Sequence, residues 1–489
     1  MFRIPVEGLS ANVHANHEVT MSAVIHASVP VTAPPAWALA QRRLLSDLSA
    51  AVDIFAQKYA LPDGGLRWGG RGDQHGRDDK DDFYEAFYNW PLLYVLGGTS
   101  DLLEKSHVHW NGVTRQLAEL GLIEREFDLG ADFFHQGEGL LFLYHLCLAD
   151  PENPVLRERM TRFAGFYTGQ DDSAANYDSS KCMIRSPHTG SRGPQFGFSD
   201  RESLDLPQSM SVYGLPLEDV AGVADFRTLL APGAAVEMLN AMNDKFGRGD
   251  VAANLGVTSL VAMAYLITGD PSYQKWVTQY VGAWMDRATA NGGLLPDNVG
   301  PGGAVGENFE GRWYGGLYGW SWPHGFYSMA QSAAIASTNA VIVSGDPGYM
   351  ELAAKLLDDC LDRAFVADAR ALPMSLIAHW LPMLGFVCET DLRAHAEAVP
   401  ALVLPYRRNS AGWFDAQPFT QSVASTLWIA GGRREDAARL YNTRARDPRP
   451  WDRTDGALYK EDAGHEAPWL SYLAGDYPSY PEDILALAA

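Results

Sequence analysis

Apolar positions along the chain come in paired blocks. A block that is apolar nearly all round ends at a small turn of Gly or Asp, and a block with one charged face follows. The clearest copy runs from Ser259 to Ala288, SLVAMAYLITGD then PSYQKWVTQYVGAWMDRA; another runs from Asn339 to Ala364, NAVIVSGD then PGYMELAAKLLDDCLDRA. Looser copies begin at Leu92 (LLYVLGGTSDLLEKSHVHWNGVTRQL), Phe142 (FLYHLCLADPENPVLRERMTRFAGFY) and Thr426 (TLWIAGGRREDAARLYNTR). In each, Gly or Ala-Asp is expected to end the first helix on a left-handed residue. Asp or Ser then opens the second helix, sometimes with Pro in its first turn.

A helix apolar on every side must be buried on every side. Repeated five times, that requirement points to a ring of helical hairpins with the apolar helices inside and the amphipathic ones outside. Ala36 to Tyr59 and a segment around Leu372 to Val387 supply further helices. The expected fold is therefore all-α: an (α/α)6-like barrel of six or seven hairpins over residues 36–489, preceded by an N-terminal extension at 1–35. Single hairpins are too apolar to stand alone. An open solenoid would satisfy the same pattern, but the joins between these hairpins are long and glycine-rich rather than short and uniform.

The turns TGDPSY (Thr268 to Tyr273) and SGDPGY (Ser344 to Tyr349), with the aromatic loops between hairpins, give the chain a recognisable look. From about Ala36 to Tyr472 it resembles the (α/α) barrels of carbohydrate-active enzymes: glycoside hydrolases, unsaturated-uronyl hydrolases and toroidal polysaccharide lyases. The resemblance implies an oligosaccharide or polysaccharide substrate. It identifies an architecture and not one family, so it carries no family's catalytic residues onto this sequence. Lanthionine and terpenoid cyclases share the barrel, and the acidic run Asp78 to Asp82 is superficially similar to the magnesium motif of terpene synthases. That motif should lie on a helix facing an apolar cavity, whereas this run follows a glycine-rich loop, GGLRWGGRGDQHGR.

Composition narrows the partners. The 489 residues are 47% apolar with 14 Trp and 47 Gly, so a large core is available and disorder is excluded. A net charge of -22 argues against phosphate-backbone binding and against anionic membranes. The expected partner is thus a glycan, with no nucleic acid and no membrane. Cys147, Cys182, Cys360 and Cys388 lie far apart, which suggests neither a disulfide framework nor a zinc site. No secretory signal is legible near Met1, and no apolar run approaches the roughly 20 residues that span a bilayer. The simplest expected localisation is cytoplasmic.

Four loop regions hold the unusual polar chemistry. The first, Asp63 to Trp90, contains Trp68, the acidic run, and Tyr88, Asn89 and Trp90 at a helix start expected to face the barrel mouth. The acidic run reads most simply as a solvated, self-paired cluster, with a calcium ion near Asp78 to Asp82 left open. The second, DFFHQGEG from Asp132, places His135 and Glu138 at the head of an apolar helix, where partial burial would suit a carboxylate to acid work. The third, Asn176 to Phe198, carries Arg185, His188 and Arg192, a candidate grip for a uronate carboxylate. The fourth, Asn291 to Phe326, is the densest: Asp297, Asn298, Glu307, Arg312, Trp313, Tyr314, Tyr318, Trp320, Trp322 and His324. Aromatic walls with a few convergent polar groups are the usual makeup of a sugar subsite. No HxxEH-type metal spacing occurs, so no metal site is expected beyond that possible calcium.

Three functions fit. Glycoside hydrolysis needs a carboxylate pair; Glu138, Asp297, Glu307 and Glu85 are the candidates, with Glu138 and either Asp297 or Glu307 in the lead. β-Elimination at a uronate needs a Tyr or His base and a neutraliser for the carboxylate, from Tyr88, His135, His188, Tyr314, Arg192 and Asn89. A non-catalytic sugar-binding scaffold is the third. Hydrolysis leads by analogy of architecture alone.

Overall fold

In the computed structural model, the described residues are 33–67, 79–198, 217, 220–223, 226–229, 231–320, 325–362, 364–367, 370–373, 401–407 and 414–418. The protein is mostly helical. In chain order the helices are α1 (Ala36–Tyr59), α2 (Asp79–Glu85), α3 (Trp90–Val95), α4 (Leu102–Glu119), α5 (Phe133–Ala149), α6 (Pro154–Thr168), α7 (Phe226–Leu229), α8 (Pro232–Phe246), α9 (Thr258–Thr268), α10 (Pro271–Ala290), α11 (Gly325–Ser344) and α12 (Glu351–Asp362). Four of the expected hairpins are present: α3 with α4, α5 with α6, α9 with α10, and α11 with α12. The one from Thr426 lies outside the described residues.

The hairpins associate through their apolar members. Helices α5, α9 and α11 pack side by side in succession, α2 and α3 pack on α5, and α6 bridges α5 and α9. Behind them, α4, α6, α10 and α12 each back the apolar partner of their own hairpin. Burial follows the sequence pattern: α9 buries Leu260, Val261, Ala262, Met263, Ala264 and Ile267 around its circumference. The turns hold as expected in two hairpins. Gly269 (φ 71°) ends α9, and Asp270 caps α10 by accepting from the Ser272 amide at 2.8 Å. Gly345 (φ 74°) and Asp346, which accepts from the Gly348 amide at 2.8 Å, repeat the device. After α5 the expectation fails, because Asp150 stays at φ -139°. Its carboxylate instead receives Asn153 Nδ2 at 2.7 Å, and Asn153 caps α6.

The strands qualify the all-α expectation. β1 (Ile123–Glu124) pairs with β2 (Phe127–Asp128), β3 (Tyr177–Asp178) with β4 (Met183–Ile184), and β5 (Asp250–Val251) with β6 (Asn298–Val299), all as short antiparallel ladders pinning loops. Beyond α12, β7 (Ala364–Ala367), β8 (Arg370–Pro373), β9 (Ala401–Arg407) and β10 (Phe414–Pro418) form one sheet in the order β10-β9-β8-β7. The helix expected from Leu372 therefore does not begin there: Leu372 pairs with Phe365 and Pro373 with Ala364. Pro373 disfavours helical backbone at Leu372 and donates no hydrogen bond, which suits a strand end. The rest of that stretch, to Val387, lies outside the described residues.

One large core runs through the hairpins. A second, smaller one gathers Phe198, Met238, Met242, Phe246, Phe309 and Leu317 around α8, with Phe134 and Tyr318 packed against it. This second core brings the loop before α11 to the head of α5. Among the described residues no helix is long and apolar enough to cross a membrane. Cys147 and Cys182 are free thiols.

Candidate active site

Helix α5 starts at a buried aspartate. Asp132, 1% exposed and in extended backbone, caps the helix by accepting from the His135 amide at 3.2 Å. The same carboxylate receives His135 Nδ1 at 2.9 and 2.8 Å, because a residue three positions into a helix folds back over its cap. Tyr318, from the loop before α11, donates its hydroxyl to Asp132 Oδ2 at 3.4 Å. Burial alone would raise the Asp132 carboxyl; the charge and hydrogen bonds of His135, helped by His188, outweigh it and hold Asp132 far below the usual carboxylate range. An imidazole whose Nδ1–H is held by a carboxylate acts through Nε2, the arrangement of an oriented general base.

The loop at Asn176–Phe198 is stitched to this helix head. Ala131 and Thr189 exchange backbone hydrogen bonds at 3.1 and 3.0 Å, and Gln136 Nε2 donates to both Ala131 O and Thr189 O. Gly190 allows the approach: a Cβ there would sit 2.5 Å from Asp128 O. His188 is buried, 3% exposed, with its ring edge-on to Phe198.

Helix α2 lies across α5 at Gly139, whose absent side chain lets Asp81 Cα approach. The i, i+4 spacing puts Asp81 and Glu85 on one face of α2. Their carboxylate oxygens and that of Glu138 lie within 4.8 Å of one another. Asp81 is only 6% exposed, and its Oδ1 has no hydrogen-bond partner. Burial raises its carboxyl to about 8; His135 opposes the rise, while Glu138 and Asp82 add to it. A cavity of about 50 Å³ opens beside it, lined mainly by the apolar surface of Tyr84, Trp110, Ile123, Phe127 and Leu140, with Lys80, Asp81, Glu126, Asp128, His135 and Gln136 as its polar members. Lys80 is paired with Asp128. The expectation of a solvated acidic run is thus corrected at Asp81: Asp82 is exposed, but the next turn of α5 covers its neighbour.

Glu138, His135, His188 and Tyr318, drawn from three loops, therefore come to one place, joined by Asp81 and Glu85 from the first. Other expected site residues go elsewhere. Tyr88 stacks on His145 and its carbonyl meets His145 Nδ1 at 2.7 Å, ten residues and so about 15 Å along α5 from His135. Asn89 is exposed and makes no side-chain cap to α3, while Trp90 is buried against Phe55, Phe87 and His109. Arg192 forms an exposed pair with Glu124, and Arg185 lies over Phe196 with one bond to Ala175 O, so neither joins the site as an anion grip.

In the densest loop, Asp297 is fully buried and accepts from the amides of Gly315, Gly316 and Trp320 and from Asn298 Nδ2, all at 2.8 to 2.9 Å. Asn298 also holds Arg312 O and the Gly306 amide, Arg312 Nε holds Phe309 O, and exposed Glu307 accepts from the Gly302 amide. Trp320 is buried with Nε1 on Leu295 O; Trp313 and Tyr314 are half-buried, and Trp313 stands edge-on to both of the others. These residues build the loop, leaving Tyr318 as its contribution to the α5 head. Trp68, Trp322 and His324 lie outside the described residues.

Two residues that matter went unchosen in the sequence. Asp132 was legible as an N-cap with His three residues on. Asp81 was not, because only the packing of α2 on α5 separates it from the acids beside it.

The fold and site together define a protein of packed helical hairpins with a buried Asp–His pair at the head of an apolar helix. Residues 24–489 match the family described as "Domain of unknown function (DUF8034)", and the chain belongs to that family. No curated protein and no solved structure matches it.

Proposed function

We propose that the protein is a carbohydrate-active enzyme that breaks glycosidic bonds at the head of α5, with its hairpins forming part of an (α/α) barrel. The chemistry put forward is β-elimination at a uronate. His135, oriented by Asp132, would take the proton from C5; the C5–H electrons form the C4=C5 double bond, the C4–O bond breaks, and the departing oxygen takes a proton from an acid at the site. The single observation that carries this reading is the bidentate hold of buried Asp132 on His135 Nδ1. The cavity behind it, about 50 Å³, holds a few waters and no sugar ring, so substrate would sit at its mouth. Glycoside hydrolysis is the second reading, and the closeness of two carboxylates favours it. Asp81 and Glu138 bring oxygens within 4.8 Å, near the about 5 to 5.5 Å carboxyl separation of retaining enzymes. Asp297 and Glu307 no longer support it, since their oxygens serve their own loop.

The test is digestion of uronate-containing oligosaccharides followed by ultraviolet absorbance and reducing ends. Elimination gives both signals, and His135→Ala removes both. New reducing ends without absorbance would overturn elimination in favour of hydrolysis. Neither signal across a panel of uronate and neutral glycans would overturn the glycan reading.

A further inference from the structure

Three carboxylates converge where α2 crosses α5, and one of them is in an unusual position. Asp81 is 6% exposed, yet its Oδ1 has no hydrogen-bond partner. A buried carboxylate oxygen without a donor is costly unless a charge compensates it. Of the basic side chains on the cavity wall, Lys80 pairs with Asp128 and His135 is hydrogen-bonded to Asp132; His135 also opposes the charge of Asp81. The Asp81, Glu85 and Glu138 oxygens lie within 4.8 Å of one another.

Two ligands of one ion can be no farther apart than twice the metal–oxygen distance. For calcium, at about 2.3 to 2.6 Å, that limit is about 4.6 to 5.2 Å, which oxygens within 4.8 Å of one another can meet. An all-oxygen donor set also selects hard cations over zinc or copper.

We propose that Asp81, Glu85 and Glu138 form a binding site for a hard divalent cation such as calcium, bridging α2 to the head of α5. The ion ties a seven-residue helix to the base-bearing one and supplies the counter-charge for Asp81. Binding stands apart from the reaction above. Only the ion's use, neutralising a uronate carboxylate at the cavity mouth, rests on that reading.

The experiment uses the full chain, stripped with chelator and dialysed, and titrated with terbium(III) under indole excitation. Trp110 lines the same cavity and serves as the sensitiser. Sensitised emission should saturate at one equivalent and be reversed by calcium, while calcium alone raises the melting temperature. Asp81→Asn and Glu85→Gln should each weaken binding roughly 10-fold or more. Should Asp81→Asn fail to fold, Glu85→Gln with Glu138→Gln gives the same readout. Equal terbium affinity in wild type and variants would mean diffuse binding to surface acids and overturn the site, as would an unchanged melting temperature in calcium. No turnover is measured, so a failed titration leaves the glycan reading untouched, and a failed digestion leaves the cation site untouched.

Discussion

Two buried aspartates, Asp132 and Asp297, sit at the ends of loops that meet through Tyr318, and they do opposite work. Asp297 has its acceptor positions filled by three backbone amides and Asn298 from its own neighbourhood. It organises the loop from which it comes. Asp132 spends one bond on a backbone amide and directs the rest to side chains, those of His135 one turn along its own helix and of Tyr318 from another loop. A carboxylate saturated by local backbone is a fastener; one that orients a titratable ring is machinery. The richer sequence, with its tryptophans, glycines and arginine, belongs to the fastener.

That contrast breaks first at His135. His135→Ala should lower kcat by about 10²- to 10⁴-fold, the contribution of a positioned general base, in a protein that still folds but melts lower because buried Asp132 loses its partner. Steady-state kinetics on whichever uronate glycan proves active, with a melt of the same preparation, would check it. A variant that keeps its rate removes His135 from the chemistry.

Asp297→Ala should behave in the reverse way. It strands three buried amide N–H groups, at a cost on the order of 3 to 5 kcal/mol, so chemical denaturation should show a large loss of stability. Activity measured on the remaining folded fraction should be preserved. Loss of specific activity in a fully folded Asp297 variant would return that residue to the site and dissolve the distinction.

The sequence was informative where a pattern is local. Hairpin pairing, the Gly269–Asp270 and Gly345–Asp346 turns and the burial of α9 all follow from residues within one or two turns of each other. The pairing of His135 and Glu138 at a helix head was legible for the same reason. What could not be read is the outcome of competition for hydrogen bonds. Asp297 beside tryptophans resembles a sugar subsite until three amides from Gly315, Gly316 and Trp320 are seen to claim it. Arg192 resembles an anion grip until Glu124 is found beside it. Asp81 was indistinguishable from Asp82 because burial on α2 is decided by Gly139, more than fifty residues away. The strand ending at Pro373 could have been anticipated from its proline alone.

The two aspartates should also give opposite acid profiles. The folded-state value of Asp132 lies below its ordinary one, so its stabilisation is present above that ordinary value and is lost as pH falls toward the folded value. Burial raises Asp297, so its contribution is present below the ordinary carboxylate value and lost as pH rises through the folded one. On acidification, Asp132→Asn should therefore lose less stability than wild type. The stability gap between wild type and Asp297→Asn should narrow as pH rises. Melting curves across the acid range would check both; a gap that widens with pH would mean that the four donors, and not burial, dominate at Asp297.

The smallest effect expected is at Gly139, and it separates packing from chemistry. Alanine is favoured over glycine inside a helix by about 1 kcal/mol. The added Cβ of Gly139→Ala would meet Tyr84 Cδ2 at 3.3 Å and Asp81 Cα at 3.4 Å, so α2 must yield by a few tenths of an ångström. A seven-residue helix can yield that much, which leaves stability changed by less than about 1 kcal/mol. Gly319→Ala has no such freedom: its Cβ would fall 2.1 Å from Asp297 Oδ2, an oxygen pinned by two amides. The two substitutions should therefore differ sharply in melting temperature. The mild one carries more information, because moving α2 moves Asp81 relative to Glu138. Gly139→Ala should weaken terbium binding several-fold in a protein as stable as wild type. If the affinity is unchanged, the spacing of α2 from α5 does not set the carboxylate geometry, and the fold at this crossing is only packing.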